Sequence, residues 1–247
     1  MWFARCVSTM RMAFLSSPLL GTPIAAIITI GLAPLLEILG MFLLGSALHS
    51  PNPGSIFVRA IIMCTVATTA MLIATTIAHD RACGVLTEVV TRRHLDSVYF
   101  VAIALFAGGV SATSAGISAL ALWIAMPPSI SVISASLPLF PIAIALGVGL
   151  GLYASTAAFL WSDPYIVLNL LVPFLPIALG TIVPISLYPQ PFGSLLHYFP
   201  LARSLESLTA ASLRYDAFCC VVLLVIATGT LVLVGRQSRK QGSLPSL

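Results

Sequence analysis

His79-Asp80-Arg81-Ala82-Cys83-Gly84-Val85-Leu86-Thr87-Glu88-Val89-Val90-Thr91-Arg92-Arg93-His94-Leu95-Asp96 is the one densely charged stretch inside this chain. It holds three of the seven acidic residues, three of the eleven basic residues and two of the four histidines. From 60 to 78 and from 97 to 162 there is no Asp, Glu, Lys or Arg at all. Charge is expensive in hydrocarbon, so the stretch belongs in water and its flanks belong in a membrane. A short charged segment held between two spans is a place where a soluble partner can push.

Composition agrees. The 247 residues are 59% hydrophobic and 7% charged, with a mean hydropathy of +1.09. A soluble domain carries roughly 25% charged residues. The reading is therefore an all-α polytopic membrane protein, a single transmembrane domain over 1–247 with no room for a soluble catalytic domain. The pI near 9.0 does not point to nucleic acid. The basic residues stand at the ends of apolar runs, where they signal topology. The five cysteines have no CxxC or other ligand spacing, which speaks against a metal or redox centre.

Residues 1–20 mix Arg5 and Arg11 with Trp2, Phe3, Met10, Met12, Phe14 and Leu15, the pattern of an interfacial helix. The apolar run that follows is too long for a cleaved leader and carries Glu37, so it reads as a first span that is kept. With about 20 residues per span, six spans fit: 23–48, 56–78, 97–126, 137–161, 165–187 and 217–234. Gly147, Gly149 and Gly151 lie inside an apolar run with no strand before them, so they predict close helix packing or a soft helix and not a nucleotide loop. Asp163-Pro164 suits a helix start. Pro173, Pro176 and Pro184 should bend or break the fifth span, and the freed carbonyls then need partners. Segment 189–216 is too polar to span and too apolar for a free loop, and it predicts a re-entrant or surface helical pair. Residues 236–247 form a basic tail. With both termini inside, eight basic residues face the cytoplasm and three the other side, in keeping with the positive-inside rule.

No catalytic constellation is visible. The only lysine is Lys240, in the tail, so there is no Walker lysine, and HExxH is absent. Glu37 is the one acidic residue deep in a span. It is either hydrogen-bonded between helices or lines a substrate path. In the charged stretch Arg81, Val85, Glu88 and Arg92 share one helical face, and Glu88–Arg92 is a favourable i, i+4 pair. Ala82, Leu86, Val89, Val90 and Arg93 make a second, mostly apolar face.

These residues carry a resemblance. Asp80-Arg81-Ala82-Cys83-Gly84-Val85-Leu86 resembles the start of the cytoplasmic signature of ABC-2-type ABC-transporter permeases, a pattern close to E-R-x-x-G-T-L-E-x-L. Asp80 replaces Glu, Val85 replaces Thr, Thr87 replaces the second Glu with Glu88 one place later, and the proline that often follows is missing. Pro200-Leu201-Ala202-Arg203-Ser204-Leu205-Glu206-Ser207-Leu208 is similar to the family's P-L-T-x-x-V-E-x-L-R before the last span, with Thr209 in place of the final Arg.

The resemblance implies an N-terminal interfacial helix, six spans, a coupling helix over 79–97 and extracytoplasmic re-entrant helices over 189–216. It implies two permease chains, identical or different, paired with two ATPase subunits that carry ATP and Mg, with no cofactor on this chain. Asp80, Arg81, Gly84, Val85, Leu86, Glu88 and Arg92 are the expected ATPase contacts. Glu37, Pro173 and Pro176 are expected along the route, and Pro200, Leu201 and Glu206 mark the re-entrant motif. The expected cargo is amphipathic or lipidic (a drug, peptide or lipid-linked molecule), and the expected site a prokaryotic inner or plasma membrane. A haem-exporter-like permease, an ion-coupled carrier and a non-transporting scaffold subunit remain as alternatives.

Overall fold

A computed structural model describes residues 2–47, 53–85, 97–125, 136–156, 160–161, 163 and 165–241. Among the described residues every regular element is helical. α1 is Trp2–Ser16, α2 Pro23–Ala47, α3 Pro53–Ala82, α4 Ser97–Ala125, α5 Leu139–Ser155 and α6 Ile166–Ala178. A 3₁₀ turn at Ile185–Leu187, α7 (Phe192–Leu196) and α8 (Ala202–Glu206) precede α9, Ala210–Gln241. Four segments, in α2, α3, α4 and α9, are long and apolar enough to cross a membrane, consistent with an integral membrane protein. α5 and α6 are apolar but shorter.

α3 and α5 form the centre. α3 packs on α5, α4, α2 and α6, and α5 also packs on α9. The contact between α3 and α5 is close because Gly147 and Gly151 lie one turn apart on the α5 face that meets α3. A Cβ on Gly147 would come within 2.6 Å of Thr69 Cβ and 2.8 Å of the Val66 carbonyl oxygen. On Gly151 it would meet the Ala70 carbonyl oxygen and Ile73 Cβ at 2.9 Å. Gly149 points elsewhere, to Leu223 of α9. The glycine run is thus a two-sided packing surface, as its sequence predicts. Without water to drive burial, such contact supplies dispersion that lipid tails would otherwise match.

The ends of the helices follow local rules. Thr22 caps α2, its Oγ1 accepting from the Ala25 amide at 3.2 Å, with Pro23 in the first position. Thr209 and Ser212 cap α9 reciprocally, each side chain accepting from the other's amide at 3.1 Å. α6 continues through Pro173 and Pro176 and stops at Ala178. There Gly180 takes φ +57°, the Gly180 amide donates to the Ile177 carbonyl and the Thr181 amide to the Pro176 carbonyl. This Schellman closure needs a residue without Cβ. The expected fifth span is therefore cut short, and Pro184 lies outside it.

Other boundaries move as well. α9 begins seven residues before the expected sixth span, so Asp216 belongs to the last long helix and not to the re-entrant segment. The cap expected at Asp163 is a turn: Asp163 accepts from the Tyr165 amide at 2.9 Å, and α6 starts at Ile166. α1 forms as expected and buries Cys6 and Ala13 against α4, leaving Trp2, Phe3, Met12 and Leu15 exposed.

Candidate functional site

Polar groups gather at three levels of the bundle. At the charged end, α3 runs past the expected boundary at residue 78 and carries Asp80 and Arg81 within it. Tyr99 of α4 donates its hydroxyl to Asp80 Oδ2 at 2.5 Å. Arg81 is 6% exposed, and its Nη1 donates to the Trp161 carbonyl at 2.9 Å. Two of the four charged residues expected to meet an ATPase, Asp80 and Arg81, thus tie α3 to neighbouring elements of this chain. The helix ends at Ala82, Gly84 just beyond it has φ +76°, a state that favours glycine, and Gly84 and Val85 are exposed. Leu86, Glu88 and Arg92, with the rest of the expected coupling helix, lie outside the described residues. Cys83 Sγ approaches His79 Nε2 at 3.6 Å. A cleft of about 450 Å³ opens here between α1, α3 and α4.

The middle level surrounds Pro34. α2 carries a π-helical turn at Ile28–Leu32 just before this proline. Pro34 has no N–H for the carbonyl four residues earlier, that of Ile30. Ser114 of α4 donates its hydroxyl to that oxygen at 2.7 Å. The Thr69 and Ser111 hydroxyls bond across α3 and α4 at 2.7 Å. Cys64, Thr65, Thr68, Ser114 and Ser118 line a narrow crevice beside Pro34. Glu37 lies on the exposed side of α2 and interacts with the Cys64 thiol. Pro173 is exposed and Pro176 half-buried on α6. α2 and α6 each pack on α3, so Glu37 and the two prolines are not gathered at one packed interface within a single chain.

At the opposite end, the chain between α6 and α9 is folded and anchored. Arg59 donates from Nη1 to the Gly180 carbonyl at 2.8 Å and from Nη2 to the Leu205 carbonyl at 3.2 Å. Glu206 accepts from the Ser186 amide at 3.1 Å and stands 3.6 Å from His197 Nε2. Arg203 donates to the His197 carbonyl at 3.0 Å and lies 4.1 Å from the Tyr215 ring, a cation–π contact. Asp216, fully buried, accepts from the Ser204 amide at 3.1 Å and so supplies the start of α8. Leu201 is also fully buried and has φ +72°, a backbone state that costs an L-residue roughly 1–3 kcal/mol. Its side chain joins the main core, and Pro200 is half-buried beside it.

Sequence reasoning located Glu206 and Leu201 but missed Arg59, Tyr99, Ser114 and Asp216 as organising residues. In the sequence Arg59 stands near the end of an apolar run, where a long cation can snorkel, and Asp216 is the last residue of the segment expected as a re-entrant or surface helical pair. The usable signal was only that a polar side chain in an apolar run must find a partner. Compared with known proteins, the chain matches no family model, no curated protein and no solved structure.

Proposed function

We propose that this chain is the membrane subunit of an ATP-driven exporter of the ABC-2 type, working as one of two permease chains with separate ATPase subunits. The observation that carries this reading is the folded helical pair between α6 and α9, anchored to α3 through Arg59 and bearing Leu201 and Glu206. It stands where the resemblance calls for re-entrant helices. The amphipathic α1 and the exposed turn at Gly84 and Val85 after α3 support the same reading. α5 and α6 then count as two further, short crossings, giving six, with both termini and residues 79–97 in the cytoplasm.

In this scheme the ATPase meets Gly84, Val85 and the residues that follow, Leu86, Glu88 and Arg92. Asp80 and Arg81 transmit the push, because they bind α3 to α4 and to Trp161. Closing of the ATPases on ATP would then move α3 and α4 together. The cargo path runs between two permease chains beside α2, with Glu37 on its exposed side and the proline-containing α6 farther round α3. The apolar outer faces suit an amphipathic or lipidic cargo. ATP and Mg stay on the partner, and the membrane is a prokaryotic inner or plasma membrane.

The test is a mild-detergent pull-down of the tagged chain from its native membranes, comparing wild type with Val85→Asp/Glu88→Arg. An ATPase subunit should accompany the wild type and be lost from the variant. Its absence from both would overturn the permease reading. A second reading, an ion-coupled carrier, draws on Glu37 beside the hydroxyl-lined crevice. It requires transport without an ATPase and loss of transport in Glu37→Gln.

A further inference from the structure

The cleft at the charged end lies outside the cargo path proposed beside α2. Its volume of about 450 Å³ lies within the range of roughly 300–1,000 Å³ typical of small-molecule sites. Met12 and Ala13 of α1 and the fully buried Ile103 of α4 are among the apolar residues of its lining. Asp80 also lines it, half-buried, with one carboxylate oxygen held by Tyr99. Among the described residues no Lys or Arg lines the cleft, and His79 is the one basic side chain there. Hydroxyls of Ser8 and Thr9 add hydrogen-bonding capacity near the mouth. One wall is α1, whose exposed Met12, Phe14 and Leu15 mark the level of a membrane surface. A single fixed carboxylate in an apolar lining at that level selects a cation on a hydrocarbon chain.

We propose that this cleft binds a primary ammonium carried on an alkyl or acyl chain, the ammonium on Asp80 and the chain against Met12, Ala13 and Ile103. Tyr99 is a positioning residue: its hydroxyl fixes the carboxylate rotamer and leaves the second oxygen for the ligand. The ammonium can come from a phosphatidylethanolamine headgroup or from a free long-chain amine. The site is independent of the permease reading, since binding needs no ATPase, so either can fail without the other.

The test uses the full chain in phosphatidylcholine nanodiscs and dodecylamine carrying a photoreactive diazirine. Cross-links are mapped by mass spectrometry. The expected labels fall on the peptides that contain Met12 and Ile103, and unlabelled dodecylamine displaces them while dodecanol does not. Loss of a charged hydrogen bond should weaken binding about tenfold or more in Asp80→Asn. Thr9→Trp, which fills the mouth, should abolish labelling. Tyr99→Phe separates charge from folding: it also breaks the bond to Asp80 but keeps the carboxylate, so it should retain most binding. Replacing part of the phosphatidylcholine with phosphatidylethanolamine displaces the probe if the lipid is the natural source; no displacement assigns the site to a free amine. Equal displacement by dodecanol, unchanged labelling in Asp80→Asn, equal losses in Asp80→Asn and Tyr99→Phe, or labels elsewhere would each overturn the proposal.

Discussion

Arg59 reaches two carbonyls that lie 121 and 146 residues farther along the chain. Hydrogen bonds to a charged donor contribute roughly 1.5–3 kcal/mol each. Arg59→Ala should therefore lower stability by about 3 kcal/mol, read as a lower midpoint of thermal unfolding in micelles. Arg59→Lys should recover only part, because an ammonium lacks the fork that meets both carbonyls. Ser114 permits a sharper experiment. Ser114→Ala leaves the Ile30 carbonyl without its donor and should cost about 1–2 kcal/mol. Pro34→Ala returns an N–H to α2, so Ser114→Ala should cost less in that background. An additive double-mutant cycle would show that proline and serine are not coupled.

Among the elements, α5 depends on what its glycines omit. Gly147→Ala places a methyl against Thr69 and the Val66 carbonyl, backbone that cannot step aside, and overpacking of this kind costs about 1–3 kcal/mol. Gly109→Ala and Gly116→Ala, on α4, meet nothing within 4 Å. They should be neutral or gain up to about 1 kcal/mol from helix propensity. Comparing midpoints for the three variants separates packing from propensity. A Gly147→Ala variant as stable as wild type would mean that α3 and α5 do not approach as described. The same logic explains α6, whose two internal prolines leave it helical while one Schellman glycine ends it.

For the whole molecule, the alternation of helix ends is the quantity to check. Arg59, Gly180 and Leu205 meet at one end, and Asp80, Tyr99, Arg81 and Trp161 meet at the other. If α5 and α6 both cross, a reporter active on only one side should give one answer after residues 88, 163 and 241. It should give the opposite answer after 51 and 190. Agreement of both 163 and 190 with 51 would leave four crossings. The scale of the molecule also sets what Glu37 can do. A carboxylate on the outside of α2 is costly in lipid, and the Cys64 thiol is only a weak partner, so another chain, a polar cargo or a proton would complete its surroundings.

The amino-acid order by itself determined the class of this protein, the charged interruption after α3, the helical α1 and the packing role of Gly147 and Gly151. These properties are local: apolar length, turn chemistry and small-residue spacing sum along the chain without knowledge of neighbours. The tertiary structure alone decided which carbonyl Arg59 holds, that Asp80 and Arg81 turn inward, that Asp216 starts α8, and that a cleft opens beside Tyr99. Hydropathy assigns a polar side chain a cost but names no partner. In a bundle of near-equivalent apolar helices, the partner is fixed only when packing has chosen which helix lies alongside.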